Sequence, residues 1–553
     1  MRDESELTRT NGATGGTAAR NCGFRNGEEG PWDRGRGANP QGAGGLSRGR
    51  RSHVLIAAAT ALLLVFATSC DPPVAGDPLP HANPDGLAPS LVAGGFDITW
   101  HETSDGMVNG YELQVQVPLH DLPWTDIPTT PGVPHAVFTD VNPGVTYQFR
   151  VRSVTSPGQA EAQFSPVESR VYVEPVLPIV RVDTQDAQPV IDKVNYVDAT
   201  MHIDPNGSQF PSYSGDFRIR GRGNSTWLLP KKPYKVKLDN KSPLMGMASS
   251  KDWALLANAL DRSQLRTYAA GELSRATDLA WTPSYRHVEL ILNGAYMGVY
   301  QLAETVKPAS SRVDIDELEP EDNSGENLTG GYLVEIDERL EENREPGWRT
   351  PRGVPIVVKE PDPATPEQFS YIGSLVNNFE AALFSDQYAD PVNGYAKYLD
   401  VDSFIDYWAV QEVTRNTDAF WSSTFFYKKR GDDKLYSGPI WDFDQSLGTI
   451  RSVIPNTTSG WYARTKGFWP ERLFTDAAFL QKASDRWDEL EPIFDELPAQ
   501  LQTLGSQLRP AIDNDAARWN YALEESDTPQ YVANFLSTRI DWISNAFDSE
   551  LNG

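Results

Sequence analysis

The chain has 553 residues, more than one compact hydrophobic core can hold, so two or three domains are expected. Its formal net charge of −27 argues against general binding of nucleic acid, because phosphates need a basic surface. The sequence has two cysteines, Cys22 and Cys70, which excludes a disulfide framework and a cysteine zinc site.

The N-terminal segment is not expected to belong to the folded body. Residues 1–47 are rich in Gly, Arg, Asn and Glu without an apolar period, which predicts disorder or a start codon assigned too early. Within the next segment, 48–70, three arginines precede an apolar run, 54–67. The run is too short to span a bilayer comfortably but is typical of a signal peptide, with an uncleaved anchor or a buried helix as the alternatives.

The small residues 67–69 lead directly to Cys70 and resemble a bacterial lipobox, although Ala67 stands where Leu is usual. The resemblance implies cleavage before Cys70, a diacylglycerol on its thiol, and a Pro-rich tether over 71–89. Because the arginines precede the apolar run, the rest of the chain is expected outside the cytoplasm. We therefore expect a lipid-anchored, extracytoplasmic protein of the cell envelope.

Residues 90–175 show short alternating segments separated by turn residues, a pattern that predicts an all-β sandwich. The run VNPGVTYQFRVR resembles a fibronectin type III domain, with Trp100 as its core tryptophan and Val141 and Tyr147 at its corner positions. Such a module binds carbohydrate or protein, or acts as a spacer. The spacer is favoured here because no chemically reactive residues are concentrated in it.

A third domain, predicted over 178–547, mixes strands and helices. Its strands alternate, and an Asn-Gly pair between two of them indicates a hairpin. Its C-terminal part repeats apolar residues at spacings of three and four, which indicates helices. The main predicted elements are a strand over 231–238, a helix over 260–277 capped by Asp261, a hairpin around Asn293 and Gly294, a helix over 401–413, a strand over 434–448 and helices within 465–547.

Five motifs of this domain resemble those of the CotH family of secreted, protein-kinase-like enzymes, and they occur in the family's order. The resemblance implies a multidomain protein in which the β-sandwich precedes an α+β, two-lobed, atypical protein-kinase-like domain. It also implies phosphorylation of Ser or Thr on an envelope or secreted protein, with ATP and Mg²⁺ (or Mn²⁺). The motifs are RGRGNSTW (220–227), KKPYKVKL (231–238), DWALLANALDRSQLR (252–266), LNGAYMGVYQLAE (292–304) and GPIWDFDQSLG (438–448).

Phosphoryl transfer needs a turn near the phosphates, a lysine on them, carboxylates on Mg²⁺ and a positioned base. The turn is assigned to Gly221, Arg222 and Gly223, whose backbone N–H groups would face phosphate. Alternation places Lys235 and Lys237 on one face of a strand, with Lys235 preferred as the nucleotide contact. A hairpin turn and two solvated lysines are the alternatives. The basic residues of this region are Arg220, Arg222, Lys231, Lys232, Lys235 and Lys237.

Two glutamates complete the nucleotide set implied by the kinase resemblance. Glu272 lies on the following helix and would pair with the lysine, whereas a helix glutamate is more often solvated. Glu304 ends a hairpin strand where a kinase hinge would fall, with a structural or adenine-adjacent role.

The catalytic set lies farther along the chain. By the kinase resemblance, Asp418 takes the position of the base that orients the acceptor hydroxyl, and Asp442 and Asp444 take the metal-binding positions. A turn aspartate and a surface pair of acids are the alternatives. Ser423 stands where kinases carry a metal-binding Asn, so metal binding there would be weaker.

This departure leaves a second class of function open, a catalytically weak pseudokinase that acts as a surface binding or adhesion protein. Transfer of a nucleotide instead of a phosphate would use the same residues and stays open too. No sugar-hydrolase motif is recognised, and hydrolysis by a Ser-His-Asp triad is not favoured. The acceptor protein and the oligomeric state are not determined by the sequence.

Overall fold

The computed structural model describes residues 84–103, 108–118, 123–155, 162–454 and 456–552. All of them belong to one compact unit, Gly76–Gly553. The predictions for residues 1–47, for the signal peptide, for lipidation of Cys70 and for most of the tether concern residues outside the described part of the chain, so they stay predictions. Within the described ranges, no helix is long and apolar enough to cross a membrane.

The N-terminal described region is a sandwich of two antiparallel sheets, as its alternating pattern predicts. One sheet has the order β1-β2-β5 and the other the order β4-β3-β6-β7. Side chains from both inner faces form one core. The strands are Ala88–Val92 (β1), Gly95–Thr99 (β2), Val108–Gln116 (β3), Thr125–Ile127 (β4), His135–Phe138 (β5), Thr146–Thr155 (β6) and Glu168–Val171 (β7).

Aromatic side chains hold this sandwich core together. Trp100 is buried and contacts Tyr111 edge to face, with ring centroids 5.2 Å apart. The hydroxyl of Tyr147, at the start of β6, accepts a hydrogen bond of 2.9 Å from the backbone N–H of Asn142, which fixes the preceding corner. Trp100 and Tyr147 are therefore core residues, as predicted.

The next seven strands form a closed barrel with the order β10-β11-β12-β14-β13-β8-β9. Strands β8 and β13 pair in parallel, and the other neighbours are antiparallel. Apolar residues such as Ile219, Val236 and Trp253 fill the interior. The strands are Ile179–Thr184 (β8), Val197–Asp204 (β9), Tyr213–Gly221 (β10), Tyr234–Ser242 (β11), Ser250–Leu256 (β12), Tyr285–Leu292 (β13) and Ala295–Glu304 (β14).

The sandwich is docked on the barrel rather than held away from it. Ile179, Ile291 and Tyr296 of the barrel belong to the hydrophobic core of the sandwich. The backbone N–H of Leu91 also donates to the carbonyl of Gly294, at 3.0 Å, in the turn between β13 and β14. A spacer function would therefore act through a packed contact with the barrel.

The C-terminal part combines a five-stranded sheet of order β16-β17-β15-β18-β19 with helices that share its core. Helix α4, Val401–Thr414, matches the helix predicted over 401–413 with one additional residue. The sheet strands are Tyr332–Ile336 (β15), Gly347–Arg349 (β16), Pro355–Glu360 (β17), Thr424–Lys428 (β18) and Leu435–Ser437 (β19). The helices of the whole described region are Arg266–Arg275 (α1), Leu340–Asn343 (α2), Pro366–Leu383 (α3), Val401–Thr414 (α4), Phe468–Leu473 (α5), Ala477–Phe494 (α6), Leu497–Trp519 (α7) and Pro529–Asn552 (α8).

Three predicted elements have other bounds in the structure, and the first of them, the strand expected over 231–238, is Tyr234–Ser242. The helix expected to start at residue 260 starts at Arg266, because the buried carboxylate of Asp261 caps it from five residues upstream, accepting from the N–H of Arg266 at 2.9 Å. The strand expected over 434–448 is only Leu435–Ser437. Beyond it the chain leaves the sheet, and positive φ angles at Asp442 and Leu447 show that it is irregular.

Candidate functional site

Two loops form the floor of the candidate site, one after α4 and one after β19. The hydroxyl of Thr417 donates to the carbonyl of Gln445 at 2.8 Å, and the N–H of Leu447 donates to the carbonyl of Thr414 at 2.8 Å. Asn416, in the first loop, is buried and donates to the side chain of Gln411 at 3.0 Å. These bonds hold the two loops in fixed register.

Three aspartates converge where the loops meet. Burial, and next the charge of Asp442, raises the pKa of Asp418 to about 7. Burial and then the charge of Asp442 also raise the pKa of Asp444 well above its ordinary value. Asp442 itself is exposed. The structure therefore brings together the predicted base and both predicted metal ligands.

Ser423 lies beside these carboxylates, as its predicted position requires. Its hydroxyl donates to Oδ2 of Asp442 at 3.3 Å. Both residues have left-handed backbone angles, with φ of 53° for Ser423 and 68° for Asp442. Such angles are uncommon for residues other than glycine and concentrate at functional sites.

Arg222 is the predicted nucleotide residue that reaches this cluster from the barrel. Its guanidinium carbon lies 5.2 Å from the centre of the Trp441 ring. Burial lowers the pKa of Arg222, and the charge of Asp442 is the strongest opposing influence. A cation of the barrel thus lies near the carboxylates of the two loops after α4 and β19.

Two of the three backbone donors expected of the glycine turn, those of Gly221 and Arg222, are already engaged. The N–H of Gly221 donates to the carbonyl of Asp192 at 2.8 Å, and the N–H of Arg222 donates to the carbonyl of Pro233 at 3.2 Å. Both are committed to holding the turn, so they are not free to bind phosphate. Gly223 has φ of +81° and its carbonyl accepts from Lys193 Nζ at 2.9 Å.

Gly221 is instead required by close packing. A Cβ there would lie 2.4 Å from the Trp227 ring and 2.8 Å from the carbonyl oxygen of Asp192. Gly221→Ala should therefore reduce the free energy of unfolding by about 1–3 kcal/mol, measured by urea denaturation. Gly110→Ala is the control, because its Cβ would meet only Pro131, at 3.8 Å. Equal stability of the two variants would show that the turn has room to adjust.

Lys235 and Lys237 share the outer face of β11, as predicted. Lys235 pairs across the sheet with Arg220 and with Ala254. Burial, and next the charge of Arg220, lowers the pKa of Lys235. This basic group is separate from the aspartates in the contacts observed, so a nucleotide would have to bridge the two.

The other basic and acidic residues have structural partners. Lys231 is buried and forms an ion pair of 2.7 Å with Asp515, and Lys232 donates to the carbonyl of Trp227. The predicted basic cluster therefore loses these two members to the fold. Glu272 pairs with Arg275 at 2.8 Å, and the buried Glu304 accepts from the N–H of Ser284 at 3.0 Å. Nucleotide roles for the two glutamates stay predictions.

Sequence reasoning missed several residues around Asp418. Asp337, at the end of β15, is buried and accepts from the hydroxyl of Ser422 at 3.1 Å. Its charge adds to the raised pKa of Asp418, which the charges of Arg339 and Lys466 counteract. The only signal for Asp337 in the sequence is its position, as an acid directly after the strand-forming segment 332–336.

A metal would find two carboxylates and a hydroxyl in this site. Among the residues that the structure describes, no group of three or more His, Cys, Asp or Glu is arranged to hold a metal ion. Mg²⁺ commonly uses only one or two carboxylates, together with water and the phosphates of its substrate. Asp442 and Asp444 with Ser423 fit that requirement, and a cation there would offset their mutual repulsion.

An open cavity of about 350 Å³ lies elsewhere in the molecule, lined among others by Trp281, Arg312, Tyr427 and Lys429. None of the predicted site residues lines it. This cavity is therefore separate from the candidate site, which is defined by its converging side chains.

A sandwich, a closed barrel and a helical subdomain with a carboxylate site define a multidomain protein with an α+β C-terminal region. Residues 219–543 match the family model described as CotH kinase protein. The match covers more than half of the chain, and the chain belongs to the CotH family, a kinase-like family.

Other comparisons add little to this assignment. No curated protein matches the sequence. Among solved structures, the crystal structure of chicken CNTN1 FN1–FN3 domains is similar at 14% identity and a TM-score of 0.15, covering 29% of this chain and 60% of that one. A TM-score this low carries no argument about the fold.

Proposed function

We propose that this protein is an extracytoplasmic, lipid-anchored kinase that transfers the γ-phosphate of ATP to a Ser or Thr of another protein. The convergence of Asp418, Asp442 and Asp444 opposite Arg222 carries the proposal. Family membership supports the kinase-like class. The barrel and the helical subdomain would correspond to the two lobes of a kinase, and the sandwich to a fibronectin type III module.

In the proposed reaction Asp418 accepts the proton of the acceptor hydroxyl. The hydroxyl oxygen then bonds to the γ-phosphorus, the bond from that phosphorus to the bridging oxygen breaks, and ADP leaves. A pKa near 7 suits a base that works close to neutral pH. Arg222 would bind the phosphates, and Mg²⁺ held by Asp442 and Asp444 would neutralise the charge that develops on them.

Autophosphorylation and thermal shift of the full chain with ATP and either Mg²⁺ or Mn²⁺ test this proposal. A metal-dependent rise in melting temperature together with phosphate incorporation is the expected result. Nucleotide incorporation in place of phosphate would indicate nucleotidyl transfer. Without a shift and without incorporation, the kinase proposal fails.

A binding-only pseudokinase is the second candidate, and two observations favour it. The hydroxyl of Ser423 replaces the amide that kinases use on metal, and it already bonds to Asp442. The N–H groups of Gly221 and Arg222 are also engaged within the turn. Saturable ATP binding that is lost in Asp442→Asn, with no transfer to any acceptor, would decide for this candidate.

The response to metal should depend on pH. The pKa of Asp418 rises from an ordinary value of 3.8 to about 7 on folding. The protonated carboxyl therefore stabilises the fold fully below about pH 4, and this contribution is lost as pH rises through about 7. Protons also compete with metal for Asp444, whose pKa is raised as well. The Mg²⁺-induced rise in melting temperature should therefore be larger at pH 8 than at pH 6.

Thermal shift at both pH values checks this, with Asp444→Asn as the matched variant. That variant should show a smaller metal response and a weaker dependence on pH. An equal response of the wild-type protein at pH 6 and pH 8 would contradict metal binding by these carboxylates.

A further inference from the structure

The segment that follows the aspartates differs in charge from the rest of the protein. Residues 445–470 contain no Asp or Glu, although the chain carries a net charge of −27. Two of its three cations are neutralised, because Arg451 pairs with Asp527 and Arg464 with Glu550, each at 2.6 Å. Lys466 forms no salt bridge with any residue in the described part of the chain, although its charge acts on the nearby carboxylate of Asp418.

This segment lies against the loop that carries Asp418. The hydroxyl of Thr417 is 2.6 Å from that of Ser452, and the hydroxyl of Tyr462 donates to the carbonyl of Thr417 at 3.0 Å. The ammonium group of Lys466 lies 5.5 Å from the centre of the Trp421 ring. Lys466, which forms no salt bridge in the described part of the chain, and the aromatic ring of Trp421 thus lie near the proposed base.

Large apolar side chains are exposed in the same two segments. The exposed fractions are 49% for Trp421, 56% for Ile450, 84% for Val453 and 49% for Phe468. Several large apolar side chains exposed near one site are typical of a binding surface. We call the set of Trp421, Ile450, Val453, Lys466 and Phe468 the acceptor face.

We infer that the acceptor face binds an extended protein segment in which the Ser or Thr acceptor is flanked by an acidic residue and a large apolar residue. The acidic side chain would meet Lys466, with Arg339, whose charge also acts on Asp418, as a second cation. The apolar side chain would pack on Trp421 or Phe468. This inference rests on the proposed kinase function, because it places the acceptor hydroxyl at Asp418.

Charge complementarity decides for an acidic acceptor over a basic one. Asp418 and Asp442 would meet the acceptor hydroxyl and the phosphates, which leaves Lys466 and Arg339 to meet a charged side chain that flanks the acceptor. Glu338, whose backbone N–H donates to the carbonyl of Trp421 at 3.1 Å, has its carboxylate paired with Arg349 at 3.3 Å. Surface charges of this kind select a partner by attraction of one sign and repulsion of the other.

The test uses the full chain and fluorescent synthetic peptides with one Ser, flanked either by Glu and Leu or by Lys and Leu. We expect the Glu peptide to bind at least about tenfold more tightly by fluorescence anisotropy. Lys466→Glu should reverse that preference, and Trp421→Ala should weaken both peptides. Lys482→Glu is the matched control, because Lys482 lies on α6 and pairs with Asp402 at 2.6 Å, and it should bind like the wild type.

Equal binding of the two peptides, or a preference for the Lys peptide, would overturn the inference. Phosphate incorporation into the same peptides separates it from the kinase proposal. Transfer without an acidic preference would refute the inference about the acceptor face and support the kinase proposal. Selective binding of the Glu peptide without any transfer to it would refute the kinase proposal and support the inference about the acceptor face.

Discussion

Asp418→Asn should lower phosphate transfer by about 10²–10⁴-fold while the protein melts at or above the wild-type temperature. The amide keeps the shape of the side chain but cannot take the acceptor proton. It also removes a half-buried carboxylate whose ionisation opposes folding as pH rises through about 7. Lost activity combined with retained or increased stability separates a catalytic role from a structural one.

The same assay should show lost transfer in Asp442→Asn, because this carboxylate is the first choice for the metal. Asp402→Asn is the control for both variants, since its side chain is 76% exposed and pairs with a surface lysine. Wild-type turnover in Asp418→Asn and Asp442→Asn would refute the site assignment. A fall in melting temperature of either variant would instead indicate that the carboxylate supports the fold.

Glu412→Ala should cost about 3–5 kcal/mol of unfolding free energy, because it leaves the charge of Arg539 buried and unpaired. Both side chains of this ion pair are fully buried. Glu412, near the end of α4, also accepts from the N–H groups of Tyr462 and Arg464 at 2.7 Å each. The pair therefore ties α8 to the segment that lies against Asp418.

Chemical denaturation measures this effect, and Arg509→Ala provides the comparison. Arg509 and Asp513 form an ion pair on α7 with side chains 57% and 54% exposed. Arg509→Ala should therefore lower the free energy of unfolding by less than about 0.5 kcal/mol. A similar small loss for Glu412→Ala would mean that water reaches Arg539 once the carboxylate is gone. Replacing both partners by apolar residues should be less harmful than replacing one.

The acceptor face and the aspartates share one structural support. Buried Arg266, at the start of α1, pairs with Asp261 at 2.7 Å and donates to the carbonyl of Ser446 at 2.9 Å. It donates as well to the carbonyl of Ser526, at 2.6 Å. One guanidinium thus joins α1, the loop after Asp444 and the segment before α8, which holds that loop against the helical core.

Local pattern in the sequence determined most of the secondary structure. Alternation of apolar residues predicts strands such as β6 and β11, and an Asn-Gly pair sets the β13–β14 turn, because each depends on neighbours a few residues apart. The motifs around Asp418 and Asp442 likewise located the loops of the candidate site through family resemblance. The family assignment is confirmed, and the individual site roles stay predictions.

Only the tertiary structure decided which side chains meet and which are already engaged. Lys231 and Asp515 are far apart in the chain yet form a buried pair, which removes a lysine from the predicted basic cluster. Asp337 and Lys466 reach Asp418 from segments on either side of it in the chain. Such partners depend on how the barrel closes and how the helices pack, and these long-range contacts leave no periodic signal in a single sequence.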